Sequence, residues 1–350
     1  MTDSDESGTR EYEVVVVGGG PAGLTAALYT TRLGHRTAMV DRGGGRAAMM
    51  LDTHNVIGVT EDVSGNEFLA TARDQVEAYG ADIYRDLVTE AERTEDGRIR
   101  LSGNDGAFLA ERVVFATGFS DGRADPPLPR TGKGLHYCLH CDAYMFVDES
   151  VYVMGHGDSA AHVAMIMLNF TDEVDLLLRG DAPTWSEETG AMLDAHPIDV
   201  IEDDVTGLEK DADGWLEAFE FEDGTRREYR GGFAMYGSEY NTALAESLGC
   251  DLNDDGTVAV DDHGRTSVEE VFAVGDVVQG HNQIPVAMGQ GAKAGIRAHM
   301  DLRAFPRSLD EIEASGPVTP GQVPGMAAEL RDRAREFRAE ESAPEAPADD

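Results

Sequence analysis

The sequence predicts an α/β fold with two Rossmann-like dinucleotide-binding domains, each built around a central parallel sheet. Two stretches support this fold class, VVVVGGGPAG near the start and VYVMGHGDSA in the middle, because each has the pattern of a strand, a glycine turn and a helix. A length of 350 residues is sufficient for two domains. Since no shorter period indicates a solenoid, we interpret the two stretches as one duplicated type of domain.

The composition restricts the class of protein. The net charge is −39, and only Lys133, Lys210 and Lys293 are lysines among the 28 basic residues. A surface coated with carboxylates repels itself at low salt and is tolerated at high salt, so we expect adaptation to a salty cytoplasm. An acidic protein with one basic partner is the alternative interpretation. The shortage of basic surface argues against nucleic-acid binding.

The termini and the hydropathy pattern predict a cytoplasmic protein. No apolar run reaches 18 residues, so no membrane span is expected, and VVVV at 14–17 suits a buried strand. The start, MTDSDESGTR, lacks the basic and apolar regions of a signal peptide. Polar residues 1–10 are expected to be disordered. Residues 306–350 are expected to form a C-terminal extension, with an acidic disordered tail from about residue 338.

The first glycine motif, Gly18, Gly20 and Gly23, directly follows the strand at 14–17. The first glycine permits a tight turn, the second lets a pyrophosphate approach the backbone, and the third lets the helix pack on the strand. The helix presents free N–H groups and the positive end of its dipole to phosphate. The second strand ends at Asp41, 18 residues after Gly23, where a carboxylate can bind ribose hydroxyls. Together these features predict a dinucleotide site.

The second glycine motif follows a short strand at 151–154 and consists of Gly155, Gly157 and Ala160. We expect Asp158 or Ser159 to cap the helix that begins there. The next strand, VDLLLRG, ends without a carboxylate at the ribose position and carries Arg179 instead. Two interpretations stay open: this domain binds a nucleotide cofactor, or it keeps the fold without binding one tightly.

The stretch YCLHCDAYM contains a C-x-x-C pair, Cys138 and Cys141, whereas the third cysteine, Cys250, is distant. A zinc site normally needs four ligands, and only His136, His140 or Cys250 could complete one, so no metal site is expected. A structural disulfide across so short a loop would add little stability. A redox-active dithiol is favoured, because such a pair closes a ring without gross strain and reopens by thiol–disulfide exchange.

Thiol–disulfide exchange needs a neighbouring group that stabilises a thiolate or takes its proton. Asp142 and His140 are the local candidates, and His140 is equally well explained as an exposed turn residue. Cys250, in SLGCDLN, is expected to be a small buried apolar residue without a redox role.

The order and spacing of these motifs resemble the low-molecular-weight thioredoxin reductase family of FAD-dependent flavoproteins. Five stretches within about residues 11–305 carry the resemblance: GGGPAGLTAALY, FATG, CLHCD, GHGDSA and EEVFAVGDV. The resemblance implies a homodimer with a discontinuous FAD-binding domain, 11–128 and 246–305. It also implies an inserted NAD(P)-type domain, 131–243, with the C-x-x-C pair near its start.

The resemblance also implies roles for individual residues around the cofactors. Thr117 and Gly118 would support the adenine side of FAD, and Gln283 and Ile284 would lie near its isoalloxazine. The residues implied for FAD are Gly18, Gly20, Pro21, Ala22, Gly23, Asp41, Arg42, Arg46, Asn55, Thr117, Gly118, Gly275, Asp276, Gln283 and Ile284. Those implied for NAD(P)H are Gly155, Gly157, Asp158, Ser159, Ala160 and Arg179.

The sequence differs from the family at the residues that would bind the 2′-phosphate of NADPH. Of the two arginines that hold the 2′-phosphate in the family, only Arg179 remains, and Gly180 and Asp181 follow it. Arg46 stands where a glutamine is usual. The electron donor is therefore left open between NAD(P)H, a ferredoxin and a substrate dithiol.

The resulting hypothesis is a flavin-dependent dithiol/disulfide oxidoreductase. The resemblance implies that Cys141 lies nearest the flavin, that Cys138 attacks the disulfide of a small thioredoxin-like protein, and that Asp142 is the acid/base. A dithiol oxidase that uses oxygen is the first alternative, since the Leu139-His140 pair and Tyr144 are similar to such relatives. A flavin redox sensor without turnover is the second, and the intact C-x-x-C-D motif counts against it.

Overall fold

The computed structural model describes residues 8–341, with side chains to residue 339, and these residues form two compact units. Unit 1 contains the described residues up to Ala47, Asn66–Phe119, and the described residues from Tyr240 onward. Unit 2 contains Ala48–Gly65 and Ser120–Glu239. The chain passes between the units after Ala47, Gly65, Phe119 and Glu239. The last two passages lie several residues before the domain bounds that the sequence predicts. The grouping of Ala48–Gly65 with unit 2 is not predicted by the sequence.

The described part of the chain combines helices with sheets whose main strands are parallel, which confirms the α/β class. The strands, in chain order, are β1 (Thr9–Val17), β2 (Thr37–Val40), β3 (Asp82–Tyr84), β4 (Val88–Arg93), β5 (Ile99–Gly103), β6 (Ala107–Phe115), β7 (Phe119–Asp121), β8 (Arg130–Thr131), β9 (Gly134–His136), β10 (Val151–Met154), β11 (Val174–Leu177), β12 (Asp199–Ile201), β13 (Val205–Lys210), β14 (Leu216–Phe221), β15 (Arg226–Glu228), β16 (Gly231–Ala234), β17 (Ser238–Tyr240) and β18 (Val271–Ala273).

The α-helices, in chain order, are α1 (Pro21–Arg32), α2 (Gly65–Ala78), α3 (Leu139–Asp142), α4 (Asp158–Met167), α5 (Glu187–Asp194), α6 (Ala243–Ser247), α7 (Ile284–Arg303), α8 (Leu309–Ser315) and α9 (Ala328–Glu341). Short 3₁₀ helices lie at Ala47–Met49, Ala143–Phe146, Gly275–Val277 and Pro320–Gln322.

The central sheet of unit 1 has the order β3-β2-β1-β6-β5-β4, with β18 paired to the second half of β6. β5 runs antiparallel to both of its neighbours, β6 and β4, whereas the pairs among β3, β2, β1, β6 and β18 are parallel. Val14, Val15 and Val16 are fully buried in it, as predicted for a strand covered on both faces. Because parallel strands end at one edge, the turns after β1, β2, β6 and β18 meet there.

Helix α7 packs closely on α1 in unit 1 because glycines form part of its contact face. A Cβ at Gly291 would overlap the carbonyl oxygen of Ala22, and one at Gly295 would lie 2.8 Å from Tyr29 Cβ. Only glycine permits so close an approach of the two backbones. The contact holds the first turn of α1 against the segment that leads from β18 into α7.

The main sheet of unit 2 is parallel and has the order β12-β11-β10-β16-β9-β8. A separate antiparallel sheet consists of β13, β14 and β15. The second glycine turn follows β10, and the C-x-x-C pair follows β9. The strands β7 and β17, where the chain passes between the units, pair with each other.

Strand β1 begins earlier than the sequence predicts. The expected disorder up to residue 10 is wrong for Thr9 and Arg10, because β6 is nine residues long and its first half pairs with them. Thr9 is buried as a result. Residues 1–7 of that prediction lie outside the described residues.

The C-terminal extension includes a helix, α9, that docks on unit 1. Phe337 stacks on Tyr79 with ring centroids 5.1 Å apart, Leu330 is buried, and Arg333 Nε donates to Ala78 O at 2.8 Å. The helix extends to Glu341, so the disordered tail predicted from about residue 338 is wrong for its first residues. The rest of that tail lies outside the described residues.

Candidate active site

The first glycine turn of unit 1 leaves an open side at the start of α1. Gly18 has a φ of +106°, and a Cβ there would overlap Ala116 O, while one at Gly23 would overlap Gly18 O. A Cβ at Gly20, by contrast, would have no described atom within 4 Å. Gly20 caps the helix without a side-chain hydrogen bond, and Pro21 occupies its first turn. The turn therefore fits a pyrophosphate at Gly20, close to the first N–H groups of the helix.

Asp41 lies beside this turn, at the end of β2. Its Oδ1 accepts from Gly19 N–H at 3.1 Å, and its Oδ2 accepts from Arg73 Nη2 at 3.3 Å. These contacts hold the carboxylate where the sequence predicts a ribose ligand. The sequence did not predict Arg73, because it lies on α2, 32 residues from Asp41, and no local pattern relates the two residues. Arg42, the next predicted residue, is exposed.

The AVGD segment after β18 closes the other side of the turn. Gly275, with a φ of +75°, donates its N–H to Gln290 Oε1 at 2.8 Å, and a Cβ there would lie 2.8 Å from Ala22 Cβ. Ala22 is the second residue of α1, so the two motifs are in contact although they are far apart in sequence. Gln290, on α7, was not predicted.

Asp276 and Arg46 form a loose ion pair, with Asp276 Oδ2 and Arg46 Nη1 3.8 Å apart. The Arg46 guanidinium also lies 4.4 Å from the ring centroid of Phe119. The structure thus brings together Arg46, Asp276 and the first glycine turn, which the sequence placed in one cofactor site.

The remaining residues predicted for FAD have different surroundings. Thr117 Oγ1 donates to Asn241 O at 2.8 Å, and Gly118 O accepts from Asn241 N–H at 3.0 Å. Gln283 is the N-cap of α7, and Ile284 is its first residue, as expected for a helix N-terminus in that region. Asn55 is exposed and lies in the segment that groups with unit 2.

The second glycine turn, in unit 2, differs from the prediction at its helix cap. The N-cap of α4 is Gly157 without a side-chain hydrogen bond, so the prediction that Asp158 or Ser159 caps it is wrong. The Asp158 side chain does not cap the helix, because its Oδ1 accepts a hydrogen bond from Ser186 N–H at 3.0 Å instead. Hydrogen bonds from Thr189 and Ser186 lower the pKa of Asp158, so its negative charge persists at the start of the helix.

The glycine turn itself is formed by the predicted residues. A Cβ at Gly155 would lie 2.6 Å from Met235 O and 2.9 Å from Ala160 Cβ, and Ala160 is fully buried. The alanine therefore lets α4 pack on the sheet as the third glycine of such a motif does.

Arg179 is engaged by other residues of unit 2. Its side chain is only 5% exposed, its Nε donates to Asp204 Oδ1 at 2.6 Å, and its Nη2 donates to Asp125 O at 3.0 Å. These partners fix the guanidinium inside unit 2. The acidic Asp181 lies exposed two residues later. Arg179 is thus already paired inside unit 2, and its role as a ligand of the nucleotide cofactor stays a prediction.

Cys138 and Cys141 form a disulfide, with Cα atoms 5.3 Å apart. Cys138 is the N-cap of α3, and its sulfur accepts from Cys141 N–H at 3.1 Å. An N–H donor of this kind stabilises negative charge on the sulfur that accepts it. Leu139 is buried and His140 is exposed on the same turn.

Asp142 pairs with a histidine that the sequence analysis did not assign to it. His136 Nδ1 and Asp142 Oδ2 are 2.8 Å apart, and His136 is only 6% exposed. Its ring contacts Phe146 and Phe233, with centroids 5.2 and 6.1 Å away. No helical or strand period relates His136 to Asp142, because the chain turns from β9 into α3 between them. The sequence therefore contained no signal for this pair.

Cys250 has the role that the sequence predicts. It is a free cysteine, 6% exposed, in the core of unit 1. Burial raises the pKa of its thiol; a hydrogen bond to Thr266 opposes this, and the charge of Asp251 adds to it. Within the described residues, no three His, Cys, Asp or Glu side chains form a group that could hold a metal ion. Nor does the described part of the chain contain a helix long and apolar enough to cross a membrane.

Comparison with known proteins agrees with this geometry. Residues 12–291 match the family model described as pyridine nucleotide-disulphide oxidoreductase. The thioredoxin reductase of Peptoclostridium litorale is 31% identical over 313 residues, which cover 82% of this chain and 96% of that protein. The structure of thioredoxin reductase from Streptococcus pyogenes superposes with a TM-score of 0.77 at 28% identity, over 84% of this chain and 99% of that one.

A further solved structure covers more of the chain. The crystal structure of HlmI superposes with a TM-score of 0.76 at 29% identity, over 96% of this chain and 100% of that one. At 96% coverage, the similarity to HlmI extends into the C-terminal extension.

Proposed function

Because the chain belongs to the pyridine nucleotide-disulphide oxidoreductase family, as a flavin-dependent disulfide oxidoreductase of the low-molecular-weight thioredoxin reductase type, we propose that it reduces the disulfide of a small thioredoxin-like protein. The observation that carries the proposal is the Cys138–Cys141 disulfide at the start of α3, with Asp142 on the same turn. A homodimer and a cytoplasmic location are part of the same proposal.

FAD would bind at the edge of the unit 1 sheet where the strands end. The N–H groups at the start of α1 and the open side of Gly20 suit its pyrophosphate, Asp41 suits a ribose, and Asp276 suits the segment between phosphate and flavin. FAD supplies the two-electron chemistry that reopens the disulfide.

The cysteine pair then exchanges with the substrate. Cys138 loses its proton to Asp142, attacks one sulfur of the substrate disulfide, and forms a mixed disulfide while the other substrate sulfur leaves. Cys141 attacks Cys138, which re-forms the intramolecular disulfide and releases the second substrate sulfur. The departing thiolates take up protons, one of them from Asp142. Two electrons pass from the dithiol to the substrate, and the contact from Cys141 N–H favours Cys138 as the thiolate.

The surroundings of the second glycine turn support a donor other than NADPH. A 2′-phosphate carries nearly two negative charges and is best bound by arginine forks. Arg179 is already paired with Asp204, and two carboxylates lie nearby in the chain: Asp158 at the start of α4, and Asp181 on the loop after β11. A free 2′-hydroxyl could instead donate to Asp181. We therefore propose NADH or a ferredoxin-like protein as the donor.

Anaerobic stopped-flow reduction of the purified flavoprotein in molar KCl tests this proposal. NADPH, NADH and a reduced ferredoxin are compared as donors, and thioredoxin is then added as acceptor. We expect NADH or ferredoxin to reduce the flavin faster than NADPH, and the reduced protein to open the thioredoxin disulfide. Fast reduction by NADPH at micromolar concentration would contradict the donor assignment. Oxygen consumption with a dithiol, without reduction of thioredoxin, would identify the oxidase alternative instead.

A further inference from the structure

We infer that His136 is a positioning residue for disulfide exchange, which holds the Asp142 carboxylate in a fixed orientation on the turn that carries the Cys138–Cys141 pair. The inference rests on the proposed function, since it assigns a partner to the group that handles the proton. All four residues lie in unit 2, on β9, on α3 and at the N-cap of α3.

The contact between His136 and Asp142 is well defined. Nδ1 and Oδ2 are 2.8 Å apart, so one of the two carboxylate oxygens is bound by the imidazole. The imidazole is fixed in turn, because it contacts the ring of Phe146 edge-on, with an interplanar angle of 83°, and also contacts Phe233. Phe146 and Phe233 are fully buried, which leaves the imidazole little freedom to rotate.

The other ring nitrogen shows which atom carries the proton. Nε2 of His136 is buried and has no hydrogen-bond partner among the described residues. An N–H at Nε2 would be an unpaired donor against phenylalanine rings, whereas an unshared lone pair is tolerated more readily. The imidazole therefore carries a proton on Nδ1 and donates it to Asp142 Oδ2 in a hydrogen bond. A hydrogen bond at this distance fixes the direction of the carboxylate.

Asp142 is the charged partner that the described residues provide for the imidazole. The elements packed on the ring, β16 and the 3₁₀ helix Ala143–Phe146, present Phe233 and Phe146 there, and neither titrates. The titratable groups on this turn are Tyr137, Cys138, His140, Cys141 and Asp142. His140 is exposed, so it is the rival to His136 as the histidine that influences exchange.

The consequence for the reaction is a carboxylate that is ready to accept a proton. Oδ2 is occupied by His136, and Oδ1 is the oxygen that takes the proton from the Cys138 thiol and returns it to the leaving thiolate. Without the Nδ1–H donor, the carboxylate would be free to rotate. Exchange would then be slower, because Oδ1 would no longer be held in one direction for the proton transfer.

The test is the rate at which the reduced full-length protein reacts with a neutral aromatic disulfide such as dithiodipyridine, followed across pH in molar KCl. His136→Phe keeps a ring between Phe146 and Phe233 but removes the donor. We expect its rate to fall by about tenfold, which corresponds to the loss of one hydrogen bond to a charged group. His136→Asn places an amide N–H near the position of Nδ1, and we expect it to restore the rate to within about threefold of the native value. His196→Asn, an exposed histidine of unit 2, is the control.

A rate of His136→Phe that coincides with the native one would overturn the inference, as would an equal fall in rate produced by His140→Asn alone. A second measurement does not depend on the variants folding. The ring ¹⁵N signals of the native protein, labelled in histidine, report the tautomer of each imidazole, and a His136 that carries its proton on Nε2 would also overturn it. A native dithiol that does not react with the disulfide reagent would contradict the proposed function itself, whatever the tautomer.

Discussion

At the scale of single residues, two side chains change the interpretation of the sequence. Arg179 is sequestered by Asp204 and the carbonyl of Asp125, and Asp142 acquires His136 as its partner. Both contacts involve a charged group that is removed from solvent, where an unpaired charge is costly. The same type of contact thus fixes one predicted ligand inside unit 2 and orients a predicted catalytic group.

Substitution of each cysteine separates their roles. We expect Cys138→Ser and Cys141→Ser each to abolish reduction of thioredoxin, because either change leaves a single sulfur that cannot re-form the disulfide. FAD content, measured by absorbance after desalting, should be retained, since the glycine turn that we propose as its binding site lies in unit 1. Cys250→Ser, at a buried thiol, is the control and should keep turnover. Full activity of both exchange variants would show that the pair has no redox role.

Arg179→Gln should affect stability rather than nucleotide selectivity. The substitution removes the charge-assisted hydrogen bond to Asp204 and the bond to Asp125 O, so we expect the free energy of unfolding to fall by about 2 kcal/mol. Urea denaturation at fixed molar KCl measures this change. Arg226→Gln, which removes an exposed arginine paired with Glu209, is the control and should leave the free energy of unfolding nearly unchanged. An unchanged stability of Arg179→Gln, with a raised KM for NADPH, would restore Arg179 as a phosphate ligand.

At the scale of secondary-structure elements, helices α1 and α9 show different ways of fixing a helix end. The start of α1 is held by the sheet edge and by α7, and its first turn faces open space at Gly20. Helix α9 is held instead by a small apolar contact with the two residues that follow α2, Tyr79 and Gly80. The guanidinium of Arg32, the last residue of α1, makes a cation–π contact with Tyr79, 4.7 Å from the centroid of the ring on which Phe337 stacks.

Gly20→Ala tests whether the open side of the first turn accommodates a cofactor. The added methyl group meets no described atom of the protein within 4 Å, so the fold should be retained. A pyrophosphate at that place would collide with it, and we expect FAD affinity to fall by at least about tenfold, measured by fluorescence titration of the apoprotein. Gly289→Ala, where a Cβ also meets nothing within 4 Å, is the matched control on α7. Equal FAD affinity in both variants would argue against a pyrophosphate at Gly20.

Leu330→Ala tests the docking of α9. Leu330 is 6% exposed, and its Cδ2 approaches Gly80, so we expect the substitution to lower the free energy of unfolding by about 2–4 kcal/mol. Leu309→Ala, at a leucine that is 78% exposed on α8, should change it by less than about 0.5 kcal/mol. Urea denaturation in the same salt compares the two. Equal, small effects would mean that α9 is not held on unit 1 in solution.

At the scale of the whole molecule, the charge of −39 dominates the behaviour of the protein in solution. Ion pairs such as that between Arg227 and Asp175 reduce the repulsion between carboxylates locally, but the 67 acidic residues far outnumber the 28 basic ones. Repulsion between exposed carboxylates acts over about 10 Å at 0.1 M salt and only about 3 Å at 1 M. Both compact units are affected, because acidic residues recur along the chain.

The free energy of unfolding should therefore rise with salt concentration. We expect the urea midpoint to fall steadily when KCl is lowered from about 3 M to about 0.1 M, because less of the repulsion is screened. Glucose at equal osmolality is the control, since it does not screen charge, and it should not restore the midpoint. A midpoint that is independent of KCl would contradict the interpretation that the composition reflects adaptation to salt.

The sequence by itself determined the α/β class, both glycine turns, the C-x-x-C pair and the burial of Cys250. Each of these follows from residues close together in the chain, whose spacing is dictated by a strand, a turn or a helix. Only the tertiary structure decided the fate of Arg179, whose partners lie 25 and 54 residues away, and the pairing of Asp142 with His136 across the turn from β9 to α3. It also decided that α9 docks on unit 1 and that Ala48–Gly65 groups with unit 2. Such contacts depend on which buried charges and apolar faces meet when distant elements pack, and no local period in the sequence encodes that.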